Sequence, residues 1–298
     1  MEHIDLHIHS IHSDDGEFEV ADIITGCSAK EISVFSLTDH NSIKGLGRAA
    51  DLAQQAGIGF IPGIEIDCTY EGVNLHVLGY GINANSTDFA ELEDDICSKV
   101  MDSLARMIDN LVKLGFVIDE DAVLTRANGQ LPSGELIAEV MLSDEKYRSP
   151  LLSPYMKGGV RADMPYLNFY LDYFAQGKPA FVPIDYMSYQ DAIEMIRDNG
   201  GIPVVAHPGL NLNGREPVAG KLLDNGAAGL EVFNNYHSME QIDYFASLVQ
   251  RNNVIMTGGS DFHGKNKPLI SLGQFSFNHR YSDYLADSVR QLMLCSNP

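Results

Sequence analysis

The strongest constraint on the fold is a rhythm of short apolar runs separated by amphipathic helical stretches. Apolar runs fall at residues 4–8, 34–37, 59–64, 75–78, 202–206, 230–233 and 254–256, several bounded by Gly or Pro. Helical spacing fills 20–30, 45–56, 189–199 and 239–252, and the last three stretches end near Gly or Asn, as helix C-termini often do. Alternation of this kind predicts an α/β fold around a mainly parallel sheet. Residues 93–181 break the rhythm: helical stretches at 89–114 and 133–142 and a Pro/Gly/Ser-punctuated segment replace the strand–helix repeat. The expected organisation is therefore a body built from residues 1–92 and 182–298, with a helical insertion at 93–181 and a return through Pro179 to Pro183.

Charge narrows the function. The chain of 298 residues carries 20 Lys+Arg against 41 Asp+Glu, a formal net charge of −21. Such a chain repels polyphosphate unless cations are concentrated locally or arrive as metal ions, which argues against long nucleic acid as a partner. An anionic membrane surface is disfavoured for the same reason. With 45% hydrophobic residues the chain is no disordered segment, and no run approaches the roughly 18 apolar residues of a membrane span. The expected location is cytoplasmic. Cys27, Cys68, Cys97 and Cys295 show no CxxC spacing, so neither a disulfide framework nor a thiolate zinc site is indicated.

The chemistry starts at Asp5-Leu6-His7-Ile8-His9. In an extended run alternate side chains share a face, so His7 and His9 project together, as two imidazoles meeting one metal ion would. Later strand ends repeat the signal: Asp39-His40 follows one apolar run, Glu65 another, His76 lies within a third, His207 follows a fourth, and Asp261 and His263 follow Thr257-Gly258-Gly259-Ser260. In barrels, residues at the C-terminal strand ends converge on one pocket. Nitrogen and carboxylate ligands without thiolates suit Zn²⁺, Mn²⁺ or Fe²⁺. About nine positions exceed the needs of one four- to six-coordinate ion, so two or three divalent ions are expected. Clustered ions of this type activate water and clamp phosphoryl oxygens, and phosphoester hydrolysis is the matching reaction.

These residues resemble the motifs of the PHP (polymerase and histidinol phosphatase) superfamily: Asp5-Leu6-His7-Ile8-His9-Ser10 with Ser13-Asp14, Thr38-Asp39-His40, Pro62-Gly63-Ile64-Glu65 with His76, Ala206-His207-Pro208, and Gly259-Ser260-Asp261-Phe262-His263. The resemblance implies a distorted (β/α)7 TIM-like barrel with a trinuclear metal centre. It assigns His7, His9, Glu65 and Asp261 to a first ion, Glu65, His76 and His207 to a second, and Asp14, His40 and His263 to a third. Asp15 is the alternative loop ligand, because this chain reads Ser13-Asp14-Asp15-Gly16 where many relatives read Ser-Asp-Gly. Asp5 and Asp39 are expected to orient imidazoles, and Glu231 to do the same or to be structural. His207, His263 and Asp261 are the candidate catalytic residues, and the leaving alkoxide takes its proton from a metal-bound water, His207 or another histidine.

The insertion resembles the helical cap of a branch that includes nucleoside 3′,5′-bisphosphate phosphatases and 5′–3′ exonucleases, although Ser133-Gly134-Glu135-Leu136 replaces a Gly-Arg-Pro-His element common there. Arg148, Lys157, Arg161 and Lys178 are the candidate phosphate-binding residues; Tyr155, Tyr166, Tyr170 and Tyr173 either stack on a base or pack the cap. The expected function is hydrolysis of a small phosphomonoester, of nucleotide or nucleoside bisphosphate type, by a metal-bridging hydroxide. Competing readings are a histidinol-phosphate phosphatase, a 5′–3′ exonuclease on short oligonucleotides, and a metal-binding regulatory module without turnover.

Overall fold

A computed structural model describes residues 3–128 and 130–296. Eight strands form one sheet: β1 (His3–Ile8), β2 (Ile32–Leu37), β3 (Gly59–Tyr70), β4 (Val73–Tyr80), β5 (Met187–Ser188), β6 (Ile202–Val205), β7 (Gly229–Phe233) and β8 (Ile255–Gly258). Its order is β1-β2-β3-β4-β6-β7-β8, with β5 paired to β3. Most neighbours are parallel; β4 runs antiparallel to both β3 and β6. The reversal comes from a tight hairpin at Glu71-Gly72, where φ of 48° and 77° suits the turn that matches strand twist. All seven expected runs are strands, and β3 extends six residues past its apolar run to reach this hairpin.

Helices α1 (Val20–Ala29) and α2 (Leu46–Ala56) follow the first two strands; α3 (Thr87–Lys113), α4 (Glu120–Ala127), α5 (Gly134–Ser143) and α6 (Pro165–Tyr173) come between β4 and β5. Then follow α7 (Tyr189–Asp198), the short α8 (Pro208–Asn211), α9 (Val218–Asp224), α10 (Met239–Asn252) and α11 (Ser282–Cys295). Among the described residues no helix is long and apolar enough to cross a membrane.

Buried side chains form two apolar clusters. One lies between the sheet and its helices, with Leu6, Ile8, Phe35, Leu37, Ile64 and Phe233 inaccessible to solvent; each such side chain stabilises the fold by about 1.5–3 kcal/mol. The other joins α3–α6 around Phe116, Ile137 and Phe169. Helix α3 belongs to both: Phe89, Leu92, Ile96 and Val100 face the first, Leu104, Ile108 and Leu111 the second. At 27 residues it is a beam about 40 Å long. Its start is set by Ser86, whose Oγ accepts the Asp88 N–H at 3.2 Å.

The sheet's ladder is open between β1 and β8, yet these edges meet just beyond the end of β8. The Asp261 N–H donates to His7 O at 2.9 Å and the His9 N–H to Phe262 O at 3.0 Å. The architecture is thus a mixed α/β sheet, two of whose junctions are antiparallel. Strands β1, β2, β6 and β8 direct their C-terminal ends to one rim, whereas β4, running the other way, contributes from its N-terminal half, where His76 lies opposite Asp67.

Gly259 permits the close approach of β8 to β1. A Cβ there would stand 2.4 Å from His7 Cβ and 2.5 Å from His7 N. Gly259→Ala is expected to lower stability by about 1–3 kcal/mol, the range for overpacking, in urea denaturation of the chelator-treated protein.

Candidate metal centre

Glu65 is the hub of the rim. It is wholly buried, and five imidazoles surround it. Its Oε2 lies 3.0 Å from His7 Nε2, 3.2 Å from His9 Nε2 and 3.5 Å from His40 Nε2. Its Oε1 lies 3.0 Å from both His76 Nδ1 and His207 Nε2. Asp261 Oδ1 approaches His7, His9 and His263 at 3.5, 3.3 and 3.3 Å. Nitrogens and carboxylate oxygens gather into four overlapping groups: His7, His9, Glu65 and Asp261; Glu65, His76 and His207; His9, Asp15, His40 and His263; and His40, Asp67 and His76.

The far nitrogens show how the rings are aimed. His7 Nδ1 is 3.0 Å from Glu231 Oε1, His9 Nδ1 3.2 Å from Ser13 Oγ, His207 Nδ1 2.6 Å from Asn211 Oδ1 and His263 Nδ1 2.9 Å from Asp261 O. One nitrogen of each ring is thereby anchored and the other faces inward, as metal-binding histidines are usually held. The donors also fit a metal by their misalignment. His9 Nε2 and His263 Nε2 are buried and close to carboxylate oxygens, yet form no hydrogen bond. Donor and acceptor face a common point rather than each other.

Charge tells the same story. Burial opposes ionisation of Glu65, but His7, His40 and His76 outweigh it and hold the carboxyl well below its ordinary range. For Asp261 burial is likewise overcome, first by Lys267 and then by His263 and His7. Burial would deprotonate His7 and His40, yet the facing carboxylates raise both well above their usual value, and His76 follows in the same direction. In the absence of other cations, protons on these rings supply the positive charge that the buried carboxylates demand.

The structure gathers His7, His9, His40, Glu65, His76, His207, Asp261 and His263. In the first loop it is Asp15 that meets His263, at 3.0 Å between Oδ2 and Nε2, while Asp14 lines the adjoining cleft. Burial and the neighbouring Asp15 push Asp14 up to about 7. Asp5 and Asp39 do a different job from the one expected of them. Asp5 accepts the Ser260 N–H, the Ser260 hydroxyl and the Gly273 N–H at 2.6–2.8 Å, and Asp39 accepts the Ser10 N–H and hydroxyl. They pin loops rather than rings, because strand ends leave backbone donors that need partners. His237 is structural: its Nε2 accepts the Gly209 N–H at 3.0 Å.

The cleft, of about 210 Å³, is lined by Ile11, His12, Asp14, His40, Lys44 and Gln130 among others. None of the four candidate phosphate-binding residues lines it. Arg161 is held by both oxygens of Asp172 and Arg148 by Glu145, while Lys157 and Lys178 are exposed. Of the four tyrosines, Tyr155 and Tyr173 pack against Phe169 in the cap's own core.

Residues that no motif announced complete the picture. Lys267 is buried, its Nζ 2.6 Å from Asp261 Oδ2, and Tyr236 donates to that same oxygen at 2.7 Å. Asp67 faces His40 and His76 at 3.4 and 3.2 Å. Glu135, near the start of α5, is buried; burial, then Asp15 and Asp14, push its carboxyl up to about 8.

Residues 5–146 match the model of the PHP domain. A 3′,5′-nucleoside bisphosphate phosphatase of Chromobacterium violaceum is 29% identical over 88% of this chain and 88% of its own. A phosphoribosyl 1,2-cyclic phosphate 1,2-diphosphodiesterase of Eggerthella lenta is 28% identical over 88% of this chain and 94% of its own. Among solved structures, an amidohydrolase from Chromobacterium violaceum with bound sulfate and no metal superposes with a TM-score of 0.75 at 26% identity, covering 92% of this chain and 91% of that one.

The raised pKa of Glu135 has a signed consequence in the metal-free protein. Folding favours its protonated form, so the stability it contributes is full below the ordinary value of 4.5 and is lost as pH rises through about 8. In chelator, Glu135→Gln is expected to melt higher than the wild type at pH 8.5, with the gap closing as pH falls towards 4.

Proposed function

We propose that the chain is a PHP-domain phosphoester hydrolase and that its substrate is a small phosphomonoester, with nucleotides and nucleoside bisphosphates the first class to examine. The observation that carries this reading is the sharing of one buried carboxylate, Glu65, between two groups of candidate ligands beside a small cleft. His7, His9, Glu65 and Asp261 would hold one divalent ion, and Glu65, His76 and His207 a second. His40 and His263, with Asp14 or Asp15, would hold a third. Zn²⁺, Mn²⁺ and Fe²⁺ all suit such donors. Bound ions supply an activated water for attack on phosphorus and neutralise the phosphoryl oxygens.

The chain's own residues do the rest. Glu231, Ser13 and Asn211 fix ring orientation, and Lys267 with Tyr236 occupies one oxygen of Asp261 so that the other faces the rings. We take His207, His263 and Asp261 as the catalytic residues around the transferred group, with His207 Nε2 or water protonating the leaving alkoxide. We read residues 93–181 as a cap that limits substrate size, and the curled sheet as the family's distorted seven-unit barrel.

Phosphate release from a panel of phosphorylated metabolites, with Mn²⁺, Zn²⁺ and Fe²⁺ compared side by side, tests the reading. Turnover of nucleotides is expected; selective turnover of histidinol phosphate, or stepwise release of mononucleotides from short oligonucleotides, would replace it. Glu65→Gln is expected to lose metal stoichiometry by elemental analysis and about 10³-fold in kcat/KM, the rate equivalent of several kcal/mol of charge stabilisation. Because the facing carboxylates raise His7, His40 and His76 above their usual value and so favour their protonated forms, ion binding is expected to release protons and to weaken as pH falls. Calorimetry in buffers of different ionisation enthalpy measures that release.

A further inference from the structure

The cap turns a carboxylate, rather than a cation, towards the site. Two contacts fix the α5 region over the first loop and the segment after β8: Gln130 Nε2 donates to Ile11 O at 3.1 Å, and Lys265 Nζ lies 2.8 Å from Glu139 Oε2. Residues 135 and 139 are one helical turn apart on the same face, so Glu135 shares the face that Glu139 presents to Lys265. Glu135 is only 7% exposed, and among the described residues its side chain meets its own backbone N–H but makes no hydrogen bond or ion pair with another residue. Its carboxyl feels the charges of Asp15, Asp14 and Lys267, in keeping with the position of the α5 region over the first loop and the segment after β8. The hydroxyls of Tyr170 and Tyr186 feel Glu135, Asp14 and Asp67, and neither is hydrogen-bonded among the described residues.

The lysines around the centre are already committed. Lys44 pairs with Glu93 at 2.8 Å, Lys265 with Glu139 at 2.8 Å and Lys267 with Asp261 at 2.6 Å. Arg126, Arg148 and Arg161 in the cap likewise face Glu139, Glu145 and Asp172. A phosphate held by the ions would be neutralised there, but a second phosphate on the leaving group would meet acids.

We propose that Glu135 determines which leaving group the site accepts: its carboxyl takes hydrogen bonds from hydroxyl or amino groups of the leaving group, and it rejects leaving groups that carry a second phosphate. A buried acceptor with no donor from another residue gains from a ligand that brings one. Bound ions would offset the Asp14 and Asp15 charges that keep the carboxyl protonated in the metal-free protein, and like charge placed against the ionised carboxylate costs affinity and so sets specificity. This rests on the phosphomonoesterase reading and narrows it, favouring monophosphates over the nucleoside bisphosphates of the same class.

Adenosine 5′-monophosphate and adenosine 3′,5′-bisphosphate are the probes, titrated calorimetrically against the full-length Mn²⁺-loaded protein and assayed for phosphate release. The monophosphate is expected to be preferred about tenfold or more in Kd and in kcat/KM. Glu135→Lys should move both ratios towards the bisphosphate by about tenfold or more, and the isosteric Glu135→Gln should move them less, in the same direction. Should the lysine variant fail to fold, the glutamine variant decides. Equal or tighter binding of the bisphosphate by the wild type, or ratios unmoved by substitution, would overturn the proposal. If neither nucleotide nor 4-nitrophenyl phosphate is turned over, the phosphomonoesterase reading falls, while the binding ratio still decides the role of Glu135.

Discussion

Everything at the rim answers to one buried charge. A carboxylate removed from water is costly unless paired and hydrogen-bonded, and Glu65 is fully removed from it. Five imidazoles within 3.5 Å meet that demand, and they arrive from β1, from the ends of β2 and β6, and from the middle of β4. No flat arrangement of those strands would bring them to one point, so the curl of the sheet and the reversal of β4 belong to the same solution as the site. The aliphatic layer beneath it, with Leu6, Ile8, Leu37 and Ile64 inaccessible, makes the dielectric low and the pairing strong.

Holding such a cluster strains the backbone locally. Among the described residues seven non-glycine residues have positive φ, and Asn41, His207 and Asp261 lie at or beside the centre. Left-handed backbone costs of order 1–3 kcal/mol at each such residue, so the core below carries the cost of geometry above. Asp5 shows how the two are joined. Its carboxylate collects Ser260 and Gly273 donors and locks the start of the Asp261 segment against β1. Burial pushes Asp5 up to about 6 despite those bonds, so the lock itself stands in tension with its surroundings.

The strands and the ring-bearing residues were legible in the sequence because they obey short-range rules. Apolar runs ending in His, Asp or Glu need no knowledge of distant residues, and the stretch at 239–252 matched α10 end to end. What escaped depends on distance. Lys267 reads as one more lysine until Asp261 folds back upon it, and nothing around residue 67 announces that Asp67 lies opposite His76 until the β3–β4 register is set. Asp15 rather than Asp14 reaches His263 because of the loop's turn, which composition does not encode. The pairing of the cap's Arg161 is hidden for a similar reason: Arg161 and Asp172 are 11 residues apart, and only the turn before α6 brings them together.

The net charge of −21 takes on a sharper meaning beside these pairings. Because Lys44, Lys265 and Lys267 each already face a carboxylate, the chain supplies little free positive charge where a phosphate would sit. Attraction for phosphate must then come from the bound ions themselves, whose charge is the largest local one. On the proposed reading, substrate affinity and ion occupancy are linked: losing an ion removes the attraction and leaves carboxylates whose charge is already met by the imidazoles around them. On that reading, an acidic body around an ion-dependent centre ties phosphate binding to metal loading.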